Sequence, residues 1–181
     1  MSFDPTAVKT EVGGRTPRPP LLPWLQFALL AVAAEFLVIY VVAKVDRDGA
    51  FVGLLLPGAH LLLFPFLLRN FSLWGMRVVT VGFALNLMVM AVNGGLMPVD
   101  KDAIEAVARH DTQTLTLGDH IPRTKNVYQD QSQTRLAELS DAIILPVPPP
   151  FARAVSPGDV LVVGGIAIVA VELFTRQRQK A

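Results

Sequence analysis

Residues 74–93 read WGMRVVTVGFALNLMVMAVN. Apart from Arg77 the run carries no charge, and it matches the roughly 20 apolar residues a helix needs to cross a hydrocarbon core of about 30 Å. Three more stretches share this character: 21–43, LLPWLQFALLAVAAEFLVIYVVA; 50–68, AFVGLLLPGAHLLLFPFLL; and 157–174, PGDVLVVGGIAIVAVELF. Each is too long for an ordinary strand and too uniformly apolar for a helix lying on a soluble core. Hydrocarbon offers no hydrogen bonds, so a spanning segment must pair its own N–H and C=O groups, as a helix does. The expected fold is all-α: a polytopic integral membrane protein, a four-transmembrane-helix bundle with short helices in a long extracytoplasmic loop. Ala31-Val32-Ala33 resembles a cleavage site, but the apolar run continues past it, so a retained span is expected.

Composition agrees. Of 181 residues, 52% are hydrophobic and 17% charged, with 16 basic and 15 acidic side chains, no cysteine and a mean hydropathy of +0.46. Those figures exclude a disordered tail, a nucleic-acid binder driven by net charge and a disulfide-stapled secreted domain. Lys9, Arg15, Arg18, Arg69, Arg77, Arg176, Arg178 and Lys180 all fall on one side if four helices alternate. The positive-inside rule then puts both termini in the cytoplasm of a plasma (inner) membrane protein and residues 94–156 outside. The expected organisation is a flexible N-terminal segment (1–20), a membrane domain (21–175) including the loop 94–156, and a basic tail (176–181).

The loop is long enough to be functional. Asp100 is placed to cap a helix over DKDAIEAVARH, with Ile104, Val107 and Ala108 on one face. Leu136, Leu139 and Ile143 recur at helical spacing and predict a second short helix in QTRLAELSDAII. The prolines of LPVPPPF, Pro146, Pro148, Pro149 and Pro150, then favour an extended stretch. Ser156-Pro157-Gly158-Asp159 reads as a helix start, with Ser at N-cap, Pro at N1 and a carboxylate near the positive helix end.

Three of these blocks together resemble a known bacterial membrane family, domain of unknown function 5317. The first is Asn93-Gly94-Gly95 followed by Met97, Pro98 and Val99. The second holds Thr134, Arg135, Leu136, Leu139 and Asp141, and the third Ser156, Gly158 and Asp159. Ser140 stands where the family tends to have Gly, and Pro157 where it tends to have Ile. The resemblance implies a membrane protein and carries no assigned activity.

Ionisable groups inside a span cost about 2.5–3.5 kcal/mol on insertion scales, so each needs a reason. Glu35, His60 and Asn86 lie at depths agreeing within about 5 Å at 1.5 Å per residue, and form a candidate intramembrane polar cluster. Small residues share their faces (Ala28 and Ala31; Gly53; Gly75 and Gly82), which marks close helix approach. Such a cluster either fixes helix packing or relays protons or cations. Pro57-Gly58 is placed to break the second helix near His60. Glu172 lies one turn before Arg176 and is expected to pair with it or snorkel. Trp24, Tyr40 and Trp74 sit where interfacial anchors do.

No spacing for a metal, phosphate loop or nucleophile elbow is present, so no cofactor, metal or catalytic residue is expected. Asp119, His120, Asp141 and Asp159 are the acid/base candidates outside the membrane, against the plainer reading of solvated charges and caps. The expected partners are the lipid bilayer and other proteins of a membrane complex, with no nucleic acid. Three functions follow: an accessory, structural or assembly subunit of a larger membrane complex; a small proton- or ion-coupled transporter using Glu35 and His60; or a membrane enzyme using Asp141 and Asp159.

Overall fold

A computed structural model describes residues 23–42, 49–107, 116–121, 124–145 and 153–179. The chain enters its first helix, α1 (Leu25–Tyr40), through Trp24 in the left-handed region. The second apolar run forms two helices, α2 (Ala50–Leu61) and α3 (Phe64–Arg69). Then follow α4 (Trp74–Val92) and, at the far end of the chain, α6 (Pro157–Arg178). The combined run Ala50–Arg69, α4 and α6 are long and apolar enough to cross a membrane; α1, with 16 residues, is a shorter apolar helix. At 1.5 Å per residue α1 covers about 24 Å.

Pro57 does not break the second run, contrary to expectation: α2 continues through it. The interruption falls at Leu62-Leu63, just ahead of Pro65 in the first turn of α3. A proline lacks an N–H and its ring crowds the preceding turn, so it suits a helix start. Asn70 ties this end of the bundle, its Nδ2 donating to the carbonyls of Pro23 and Phe66, both at 2.8 Å.

The bundle is organised around α4 and α6, which pack along most of their length. The buried face of α4 carries Gly75, Met76, Val79, Gly82, Asn86, Val89 and Met90 at helical spacing. A Cβ at Gly75 would stand 2.5 Å from the Gly165 carbonyl, and one at Gly82 2.5 Å from the Gly158 carbonyl. Small residues therefore set the separation of these helices, which gains dispersion contacts where lipid offers no hydrophobic drive. Glu172 accepts from the backbone N–H of Trp74 and of Gly75, each at 3.0 Å. It thus serves the start of α4, where unpaired N–H groups and the helix dipole favour an anion, instead of Arg176.

Past α4 the chain turns through Gly94 and Gly95 at φ +78° and +86°. The turn lies against Gly53 of α2, where a Cβ at Gly53 or Gly95 would overlap backbone of the other segment. Strand β1 (Met97–Val99) follows and pairs in parallel with β2 (Asn126–Tyr128), Met97 opposite Asn126 and Val99 opposite Tyr128. Helix α5 (Lys101–Val107) lies between them, capped as expected: Asp100 Oδ1 accepts from Ala103 N at 2.8 Å. Strands β3 (Ile143–Ile144) and β4 (Ala154–Val155) form an antiparallel pair leading into α6.

The predicted helix over QTRLAELSDAII does not form. The segment makes single 3₁₀ turns at Gln131–Gln133 and Ala137–Leu139, with Leu136 left-handed at φ 57°, and ends in β3. The competing interaction is Asn93, whose side chain takes both backbone groups of Arg135: Nδ2 donates to its carbonyl at 2.8 Å and Oδ1 accepts its N–H at 3.0 Å. The LPVPPPF stretch from Pro146 on, and His110 with the end of the first loop helix, lie outside the described residues.

The segment between α4 and α6 is not an independent layer. Leu96, Met97 and Val127 pack into one buried cluster with Val38 of α1, Val52 and Leu56 of α2, and Val89 and Met90 of α4. Burying a side chain the size of Met97, which is fully enclosed here, contributes about 1.5–3 kcal/mol. Val99, Ala103, Ile104 and Ile121 form a smaller cluster above it.

Candidate functional site

The start of α6 builds the first part of the site. Ser156 Oγ accepts from Asp159 N at 2.9 Å while Asp159 Oδ2 accepts from Ser156 N at 3.3 Å, a closed capping box. Asn86 of α4 joins it: Nδ2 donates to Asp159 Oδ1 at 2.7 Å, and Oδ1 accepts from Ser156 Oγ at 2.8 Å. Asn86 Oδ1 also lies so close over Gly158 that a Cβ there would overlap it. The Ser-x-Gly-Asp pattern thus has one physical meaning: two cap residues and a gap that admits the asparagine.

Lys125 extends this cap into the segment between α4 and α6. Its Nζ donates to Asp159 Oδ2 at 3.0 Å and stands 3.5 Å from Asp141 Oδ1. Asp141 is 2% exposed; its Oδ2 accepts from Asn126 Nδ2 at 2.8 Å, and its N–H donates to the Pro98 carbonyl at 3.3 Å. Asp141 Oδ1 makes no hydrogen bond. Burial pushes the Asp141 carboxyl above its usual value, with Lys125 and Asn126 offsetting part of that rise. Burial also opposes the Lys125 ammonium, but Asp141 and Asp159 together outweigh it and hold the lysine above its ordinary value. Two carboxylates therefore share one ammonium.

Glu35 and His60 meet inside the bundle, Oε1 to Nδ1 at 3.2 Å, and the same nitrogen lies 3.2 Å from the Leu56 carbonyl. Phe83 of α4 packs edge-on against the imidazole, ring centres 5.7 Å apart. Asn86 is not part of this pair; it is engaged by Ser156 and Asp159 instead. The predicted cluster of three is thus two separate groups. The reason lies in α6, which brings to Asn86 a hydroxyl and a carboxylate that no reading of α4 alone anticipates.

Of the four acid/base candidates, Asp141 and Asp159 converge on Lys125, while the other two do not. His120 Nε2 contacts the Thr124 carbonyl at 2.9 Å, and Asp119 Oδ2 accepts from Thr116 N at 2.8 Å. That bond holds the exposed Asp119 carboxyl below its usual value. Lys125 and Asn126 went unrecognised in the sequence, because nothing local sets the RTKN stretch apart from a solvated turn. Among the described residues no three His, Cys, Asp or Glu side chains are grouped to hold a metal ion.

Beside Lys125 a cavity of about 370 Å³ opens between the end of α1 and the segment between α4 and α6. Its lining includes apolar Ile39, Tyr40, Ile104 and Ile121 and polar Lys125, Asn126, Asp141, Arg153 and Asp159.

These features define a helical protein with three membrane-length apolar helices, whose segment between α4 and α6 is held on the bundle by a partly buried charge cluster. The chain matches the family of unknown function DUF5317 over residues 21–171 and belongs to that family. Comparison with curated proteins and with solved structures gives no match.

Proposed function

We propose that this chain is an accessory or assembly subunit of a membrane complex, a four-span inner-membrane protein with residues 94–156 outside. The observation that carries the reading is how the two converged carboxylates are used. Asp159 closes a helix cap and holds Asn86 and Lys125; Asp141 holds Asn126 and faces Lys125. Both anchor the outer segment, which favours a structural role over acid–base catalysis by this pair. Leu136, Ile143, Ile144 and Leu145 remain exposed on that segment, an apolar surface suited to a protein partner. Arg69 and Arg77, with Arg176 and Arg178, follow or begin helices at the opposite end, which supports cytoplasmic termini.

The test is a photo-cross-linker at position 144 in the full chain, activated in native membranes before mild detergent extraction. A single stoichiometric protein adduct is expected. Lipid adducts alone, with a monodisperse lone protein after extraction, would overturn the reading.

A second reading, proton or ion coupling, is favoured by the Glu35–His60 contact at 3.2 Å within the bundle. Glu35→Gln separates the two. Loss of a proton-linked activity with intact folding favours coupling, whereas loss of stable protein favours helix packing.

A further inference from the structure

The end of the bundle where α4 starts and α6 finishes gathers positive charge that the chain leaves unneutralised. Asn70 ties this end to Pro23, and Glu172 ties the last turns of α6 to the first turn of α4. Residues 61–80 and 168–179 hold four arginines there, Arg69, Arg77, Arg176 and Arg178, against one acid, Glu172. Both Glu172 oxygens already accept backbone N–H groups of α4. None of the four arginines makes an ion pair with a described residue. Arg77 lies instead over the Trp74 ring at 4.6 Å and the Phe71 ring at 5.6 Å, its Nε donating to the Phe71 carbonyl at 3.0 Å. Arg178 lies 4.5 Å over Phe174. Stacking fixes the plane of a guanidinium and leaves its edge donors open to an acceptor from outside the chain. Arg69 differs from both: its exposed side chain has neither a ring nor an acceptor among the described residues, and it lines a groove.

That groove follows from the interruption of the second apolar run at Leu62-Leu63. It is shallow, of about 630 Å³, and is lined by Trp24, Leu61, Phe64, Pro65, Leu68 and Arg69. Five of these are apolar and the sixth is a cation. Leu61 and Leu68 are exposed on a run, Ala50–Arg69, long and apolar enough to cross a membrane. A soluble anion would satisfy Arg69 and leave the apolar wall bare. A zwitterionic lipid would cover the wall but bring its own cation to an end already rich in arginine. We propose that the groove seats an acyl chain of an anionic phospholipid whose phosphate pairs with the Arg69 guanidinium. A guanidinium matches two phosphate oxygens at once, and Arg77, across the turn at 70–73, adds to the attractive field. The proposal rests on the membrane reading alone and needs no partner subunit and no proton coupling.

The experiment reads the fluorescence of Trp24, which lines the groove. The chain has two tryptophans, and Trp74→Phe keeps an aromatic face beneath Arg77 while leaving Trp24 as the single indole. The full chain with that change is placed in phosphatidylcholine nanodiscs containing phosphatidylglycerol as a minor lipid. Bromine, a contact quencher, is carried on the acyl chains of either lipid at the same mole fraction. Brominated phosphatidylglycerol is expected to quench Trp24 at least about threefold more than brominated phosphatidylcholine, and to saturate while still the minor lipid. Arg69→Gln changes an exposed side chain without partners, so folding is retained, and it is expected to bring the two lipids level. Arg178→Gln removes the same charge from the same end and is expected to leave the preference in place. Equal quenching by the two lipids in the parent overturns the proposal, as does quenching that rises in proportion to phosphatidylglycerol without saturating. Both outcomes are read without an arginine variant, so the proposal stays falsifiable should Arg69→Gln fail to fold. A preference intact in Arg69→Gln, or lost equally in Arg178→Gln, also overturns it, the latter because diffuse surface charge then accounts for the attraction. Absence of quenching by either lipid overturns the membrane reading and this proposal with it.

Discussion

Replacing Lys125 with Met tests the charge cluster most directly. The methionine keeps much of the length and apolar stem of the lysine but removes the ammonium that faces Asp159 Oδ2 at 3.0 Å and Asp141 Oδ1 at 3.5 Å. Breaking a buried ion pair by removing one partner costs about 3–5 kcal/mol, because the other charge stays desolvated. The Asp141 side chain is 2% exposed and incurs that cost nearly in full; that of Asp159, 31% exposed, keeps part of its hydration. The expected loss is therefore about 2–4 kcal/mol. Asp141→Asn alone leaves one carboxylate facing one ammonium and is expected to change stability by less than about 1 kcal/mol. Combined with Lys125→Met, it should recover at least about 1 kcal/mol, since contacting charges do not add independently. Unfolding in detergent, followed by circular dichroism, measures the cycle, and limited proteolysis between α4 and α6 locates the loss. A Lys125→Met protein within about 0.5 kcal/mol of the parent, with an additive double variant, would refute the reasoning.

Gly158→Ala places a methyl where Asn86 Oδ1 lies and is expected to cost about 1–3 kcal/mol, measured by the same unfolding assay. Gly164→Ala, where a Cβ meets nothing within 4 Å, is expected to be neutral or slightly stabilising. Asn93→Ala removes three hydrogen bonds, to Val89 O, Arg135 O and Arg135 N, and should cost about 2–4 kcal/mol while speeding proteolysis near Arg135. Asp141, raised in the folded state, binds more protons there than when unfolded. Its contribution is thus fully present below the ordinary aspartate value of 3.8 and is lost as pH rises through the folded pKa. Thermal unfolding against pH should show a decline over that window which Asp141→Asn removes; a decline persisting unchanged in that variant would assign it to other groups.

The long apolar helices were readable because hydrocarbon compatibility is a property of composition along one continuous stretch. The same holds for the caps: Asp100 before α5, and Ser156 with Asp159 before α6, act within a few residues of chain. The buried face of α4 was legible too, since helical periodicity alone collects Gly75, Val79, Gly82 and Asn86. The break in the second run was misplaced because two prolines competed for it, and only the packing of α2 shows which one the helix absorbs.

Tertiary structure decided how the polar groups pair. Asn86 has one partner set in a reading of depth and another once α6 lies alongside, because a carboxamide bonds whatever approaches within about 3 Å. Asn93 likewise reaches across 42 positions to take both backbone groups of Arg135, and a segment with helical spacing loses its helix. Lys125 looks like any turn lysine until Asp141 and Asp159, both farther along the chain, close on it. Hydrophobic burial sums over neighbours in the chain and survives without knowledge of the fold. Hydrogen bonds and ion pairs are short-ranged and directional, so their partners exist only once distant segments are brought together.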